Sequence, residues 1–95
     1  MTSIDPKTLI AERDAKTVIV DVREPDEFAA GHVQGAVNIP LSELMARHTE
    51  IPDGAYIICR SGNRSAMATE FLNSNGHEVV NVLGGVNEWP ESMVL

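Results

Sequence analysis

Ninety-five residues suffice for one hydrophobic core and are too few for two, so residues 1–95 are expected to form a single domain. Seven basic against fourteen acidic residues leave a formal charge of −7, which opposes non-specific binding to nucleic acid and to anionic lipid. One cysteine excludes an intramolecular disulfide and suits a reducing compartment.

The opening Met1-Thr2-Ser3-Ile4 lacks the basic and apolar regions of a secretory signal, and no later apolar run reaches membrane-spanning length, so a soluble cytoplasmic protein is the default expectation. Asp5-Pro6 reads as an N-cap followed by proline at the first helical position, with Leu9 and Ile10 on the buried side of a helix ending near Arg13. Thr17-Val18-Ile19-Val20 is β-branched and almost wholly apolar, as a parallel strand covered on both faces should be. It ends at Asp21, which places Asp21, Arg23 and Glu24 at a strand's C-terminal edge, where open α/β sheets bind ligands.

Glu24 to Ala30 suits a short helix with proline and acids in its first turn and Gly31 at its stop. Ala36-Val37-Asn38-Ile39 is a strand ended by Pro40, and Ser42 can cap a helix through Leu44 and Met45 to about Arg47. His48 to Asp53 reads as a polar connection before Asp53-Gly54. Tyr56-Ile57-Ile58 is a buried strand that delivers Cys59 to its C-terminal end. A helix starts at about Arg64, with Met67, Ala68, Phe71 and Leu72 as its apolar stripe and Asn75-Gly76 as its stop. Glu78 to Val82 gives a further strand, and Gly84-Gly85 opens a short segment with Val86 and Trp89 as its apolar residues, closed by Pro90. Strands alternate with helices throughout, which predicts an α/β fold with a mainly parallel sheet of about five strands and right-handed crossovers.

The chemistry concentrates between Cys59 and Ser65. A strand, a tight loop and a helix N-terminus form an anion cradle, because unpaired backbone N–H groups and the helix dipole both favour negative charge there. The anion here can be the Cys59 thiolate itself. An ordinary cysteine pKa of ~8.5 leaves little thiolate at neutral pH, and helix N-termini and neighbouring arginines lower it. Arg60 and Arg64 add two permanent cations, so the thiol is expected in an electropositive, exposed setting. Arg64 can turn its guanidinium inward to close the cradle, while Arg60 faces the mouth and steers anions. Gly62 and Asn63 suit a loop with unusual backbone angles.

Cys59-Arg60-Ser61-Gly62-Asn63-Arg64-Ser65 resembles the active-site loop of single-domain rhodaneses, sulfurtransferases that carry sulfur as a cysteine persulfide. Asp21-Val22-Arg23-Glu24, Glu27-Phe28 and Gly31-His32-Val33-Gln34-Gly35-Ala36 through Asn38-Ile39-Pro40 resemble the upstream signature of that family, and Gly84-Gly85 with Trp89 its C-terminal one. The resemblance implies a small rhodanese-like α/β fold. It implies Cys59 as nucleophile and Arg60, Ser61, Gly62, Asn63, Arg64 and Ser65 as the substrate-binding loop. It further implies a small anionic sulfur donor such as thiosulfate and a thiol, cyanide or protein-cysteine acceptor, with no cofactor.

Other residues take supporting roles. Asp21 and Arg23 are expected to brace the loop as an ion pair, with direct substrate contact as the alternative. His32 is expected to tie a turn together rather than to form a dyad with Cys59, and His48 and His77 to lie on the surface. Met45, Met67 and Trp89 read as packing. Three histidines and one cysteine show no metal-ligand spacing. Two other function classes stay open. A phosphatase or arsenate reductase also sets a cysteine and an arginine around an anion, but the phosphatase pattern Cys-x5-Arg would need arginine at Ser65. A non-catalytic rhodanese-like interaction module is the other alternative.

Overall fold

The alternation of apolar runs with helical segments becomes five strands and four α-helices in the computed structural model, which describes residues 1–95. In chain order they are β1 (Thr2–Ile4), α1 (Pro6–Glu12), β2 (Ile19–Asp21), α2 (Pro25–Ala29), β3 (Val37–Asn38), α3 (Leu44–Arg47), β4 (Tyr56–Ile58), α4 (Asn63–Ser74) and β5 (Val80–Val82). A 3₁₀ turn follows over Gly85–Glu88, and two others flank α3. The strands form one sheet in the order β1-β5-β4-β2-β3, and every pairing is parallel. β4 is therefore central, aligned through Ile57 with Val20 of β2 on one side and Asn81 of β5 on the other. Its C-terminal end opens at the middle of the sheet's C-terminal edge.

Period-two alternation divides the core between the two faces. Val20 and Ile57 pack with Leu44, Ala68 and Leu72 on the α3/α4 side, while Ile19 and Ile58 pack with Leu9, Val82 and Trp89 on the α1 side. Both faces are covered, which is why β2 and β4 carry nearly unbroken apolar sequence. Burying Ile57, Ile58, Leu9 and Leu72 completely contributes ~2 kcal/mol each before conformational entropy is charged against it. Proline starts α1 and α2, and Asp5 accepts from the Thr8 N–H at 3.3 Å to cap α1.

Four expectations need correction. Thr2–Ile4, given no element in the sequence reading, is an edge strand in register with Val80–Val82. Met45 and Met67 are 78% and 63% exposed and do not pack. The buried positions of α4 are Ser65, Ala68, Thr69 and Leu72, so the stripe runs through two hydroxyl residues and passes Met67 by. His48 and His77 are half-buried rather than superficial: their Nδ1 and Nε2 atoms lie 3.0 Å apart, and His77 Nδ1 donates to the Ile51 carbonyl at 3.1 Å. No helix is long and apolar enough to cross a membrane.

Candidate active site

Strand alternation decides where the sulfur goes. Ile57 faces the α4 layer and Ile58 the α1 layer, so Cys59, one residue past β4, returns to the α4 layer. The chain must then reverse at once to begin α4 on that same face. Gly62 makes the reversal with φ 101°, a left-handed value that glycine adopts without penalty. No side chain caps α4. The Cys59 sulfur takes that place, accepting the N–H of Gly62 at 3.1 Å and of Ser65 at 3.3 Å.

Ser65 Oγ completes the nest 3.4 Å from the sulfur and donates to the Gly62 carbonyl at 3.1 Å. Burial pushes the Cys59 thiol pKa up. The Ser65 hydroxyl and the N–H groups of Ser65, Gly62 and Ser61 more than offset that and hold it below the ordinary value. The partners of the sulfur are thus dipoles, with no histidine among them. The expected exposure is not found: Cys59 is only 1% exposed, lying beneath the loop with the thiol covered. Ser61 and Asn63 are exposed above it.

A second segment clamps the loop from the other side. Val86 N–H donates to the Cys59 carbonyl at 2.9 Å and Asn87 N–H to the Arg60 carbonyl at 3.0 Å. This approach requires Gly85, because a Cβ there would lie 2.2 Å from the Cys59 oxygen and 2.6 Å from the Arg60 carbonyl carbon. Gly84-Gly85 was legible as a segment start, but its contact with the cysteine loop was not. That contact depends on β5 lying beside β4.

Of the two loop arginines, Arg64 departs from expectation. Arg64 does not close over the sulfur. Its Nη1 and Nη2 donate to the two oxygens of Glu27 at 2.6 and 2.9 Å, a bidentate pair in which both fork positions are filled. Arg60 does face the mouth, 62% exposed, but its Nη2 lies 3.5 Å from the same carboxylate. Glu27 also accepts the Glu24 N–H at 3.1 Å at the start of α2. Hydrogen bonding from Arg64 holds the Glu27 pKa at about 2, with the Glu24 N–H helping and burial opposing. In the sequence Glu27 stands within the Glu27-Phe28 motif with no sign of this role. The signal available was an acid three residues after Glu24, and it named the helix start rather than the arginine partner.

Asp21 and Arg23 lie beneath this group and bind each other. Arg23 Nε reaches both Asp21 oxygens at 3.1 Å, Nη2 reaches Oδ2 at 2.9 Å, and the same Nη2 donates to the Gly31 carbonyl at 2.8 Å. Both side chains are almost completely buried. Asn38 Nδ2 donates to the Asp21 and Arg23 carbonyls at 2.9 Å each, joining β2 to β3. His32 stacks on Phe28 with ring centroids 3.7 Å apart and places Nδ1 2.8 Å from the Phe28 carbonyl. No group of three or more His, Cys, Asp or Glu side chains is arranged to hold a metal ion.

Comparison with known proteins gives the arrangement its context. The chain is 44% identical over 77 residues to the uncharacterized protein YqhL of Bacillus subtilis, matching 78% of this chain and 61% of that one. It therefore spans less than two thirds of that relative's length. Over 73 residues it is 38% identical to the thiosulfate sulfurtransferase PspE of Escherichia coli, matching 73% of this chain and 70% of that one. The crystal structure of a rhodanese-related protein from Thermoplasma volcanium superposes with a TM-score of 0.90 at 36% identity, covering 100% of this chain and 99% of the other. The family profile described as Rhodanese-like domain matches residues 5–92, nearly the whole length, and with a cysteine held in an N–H nest at the end of a central parallel strand, this chain belongs to the rhodanese-like domain family.

Proposed function

We propose that this chain, a single rhodanese-like domain over residues 1–95, is a sulfurtransferase that carries sulfane sulfur as a persulfide on Cys59. The observation that carries the reading is the nest itself: the N–H groups of Gly62 and Ser65 converge on one sulfur at a helix N-terminus, with the Ser65 hydroxyl 3.4 Å away. Such a nest stabilises an anion on sulfur without a general base. In the first step the Cys59 thiolate attacks the outer sulfur of a donor, thiosulfate or a persulfide. A new S–S bond forms, the donor's own bond to that sulfur breaks, and sulfite or a thiolate leaves with the electron pair. In the second step a thiophilic acceptor (cyanide, a thiol or a protein cysteine) takes the sulfur and Cys59 returns as thiolate. Neither leaving group needs a proton, which fits a site with no partnered histidine. Arg60, Ser61 and Asn63 form the outer rim that the substrate meets, and Gly62, Arg64 and Ser65 shape the floor and wall of the loop. Asp21 and Arg23 hold the loop's foundation. The single cysteine suits a cytoplasmic setting.

One observation favours the non-catalytic alternative: Cys59 is almost fully covered. Intact-protein mass decides between the two readings. The protein is incubated with thiosulfate or, in parallel, with glutathione persulfide, and then with cyanide, using Cys59→Ser as control. The expected result is a gain of one sulfur atom on the wild type alone, removed by cyanide. Absence of that gain with both donors overturns the reading.

A further inference from the structure

We infer that His48 and His77 form an acid-sensitive latch, which joins the connections entering β4 and β5, tolerates one added proton and parts when a second arrives. The latch does not depend on the sulfurtransferase reading.

The pair lies at the N-terminal edge of the sheet, at the far end of β4 from Cys59. His48 belongs to the 3₁₀ turn after α3, and His77 to the connection between α4 and β5. Hydrogen bonding fixes where their protons sit. The Ile51 carbonyl can only accept, so His77 Nδ1, 3.1 Å away, carries a proton. A neutral His77 then has a bare Nε2, and the 3.0 Å contact to it places the neighbouring proton on His48 Nδ1. One added proton fits this chain of bonds, because His48 Nε2 takes no part in it. A second can go only to His77 Nε2, and two N–H groups would then meet head-on at 3.0 Å. His77 is held by Ile51, and His48 packs edge-on against Phe71 of α4 with centroids 5.8 Å apart, so relief requires the two connections to separate.

The charged neighbours offer the second proton no compensation. Arg47, beside His48, is engaged by Glu43 and Glu50. Asp53 accepts the Glu78 N–H at 2.9 Å, and the Glu78 and Glu70 side chains are exposed. No ion pair links either imidazole to a carboxylate. In an unfolded chain each imidazole is free to protonate near pH ~6.5. Below that pH the folded chain therefore binds one proton fewer than the unfolded one, and the stability present above it is lost as pH falls.

Long-range proton–nitrogen NMR of the isotope-labelled protein reads both rings directly. At pH 8 His48 is expected as the Nδ1–H tautomer, with His77 Nε2 bare. The amides of Gly54 and Glu78, which cross between the same two connections, are expected to lose protection from hydrogen exchange as pH falls from 7.5 to 5.0. Urea unfolding at these two pH values measures the missing proton. The unfolding equilibrium constant of the wild type is expected to rise about tenfold or more beyond that of His48→Ala, in which His77 takes its proton without conflict. This comparison cancels His32 and the carboxylates. An Nε2–H tautomer at His48 overturns the latch, as do both rings protonated at pH 5.0 with the two amides still protected. Equal pH dependence in the wild type and a folded His48→Ala protein overturns it too. Should that variant not fold, the tautomers and exchange of the wild type decide.

Discussion

Replacing Gly85 with alanine isolates the clamp that fixes the cysteine loop. The added methyl would sit 2.2 Å from the Cys59 oxygen and 2.6 Å from the carbonyl carbon and oxygen of Arg60, all backbone atoms that no rotamer change can move. Relief requires the 3₁₀ turn to separate from the loop, lengthening the 2.9 and 3.0 Å hydrogen bonds from Val86 and Asn87. The left-handed backbone at φ +57°, the overpacking and the two weakened hydrogen bonds together destabilise the fold by about 4 kcal/mol. Urea denaturation followed by the fluorescence of Trp89, the only tryptophan and a buried one, reads this directly. Gly54→Ala is the control. Its φ of +87° is equally left-handed but nothing lies within 4 Å of the new Cβ, so only ~1 kcal/mol is expected there. Displacement of the loop also loosens the N–H nest, so the pH at which Cys59 becomes alkylated should rise in Gly85→Ala and stay fixed in Gly54→Ala. Equal destabilisation by the two variants, with the same alkylation profile, would refute the clamp.

Three further outcomes test other parts of the site. Ser65→Ala removes a hydroxyl that lowers the Cys59 pKa, so its pH profile of iodoacetamide alkylation should shift to higher pH, and an unshifted profile would show that the backbone N–H groups suffice. Asp21→Ala leaves the buried Arg23 guanidinium without its carboxylate and should lower the free energy of unfolding by ~3 kcal/mol or more, measured by the same denaturation. Glu27 has its pKa depressed to about 2 in the folded chain, from an ordinary 4.5, so between those values the unfolded chain holds the extra proton. The stability Glu27 contributes is therefore complete above pH 4.5 and is lost as pH falls through about 2, and Glu27→Gln should flatten that part of the stability-versus-pH curve.

What could be read from the sequence was local. Tyr56–Ile58 is a strand because three consecutive apolar residues precede a loop, and α4 begins within one residue of the position the pattern indicates. The nest followed from chain order alone, since strand, glycine-bearing loop and helix are consecutive. What escaped was decided by tertiary contacts. Thr2-Ser3-Ile4 has one apolar residue and becomes a strand only because β5 offers it an edge. Met67 belongs to an apolar pattern that the fold does not use, because the face of α4 turned inward carries Ser65 for the sulfur and Thr69, whose hydroxyl donates to the Ser65 carbonyl at 2.7 Å. The orientation of Arg64 depends on a carboxylate in another helix, and the residue types at 27 and 64 do not announce the pairing.

The clamp over the loop also has a consequence for the making of the protein. The Cys59 pKa is lowered by a loop whose carbonyls are held by Val86 and Asn87, residues that leave the ribosome well after it. Until β5 has joined the sheet, the cysteine is an ordinary thiol in a chain with no nest. The lowering of the Cys59 pKa therefore comes only with completion of the fold, and a growing or unfolded chain holds this thiol at its ordinary value.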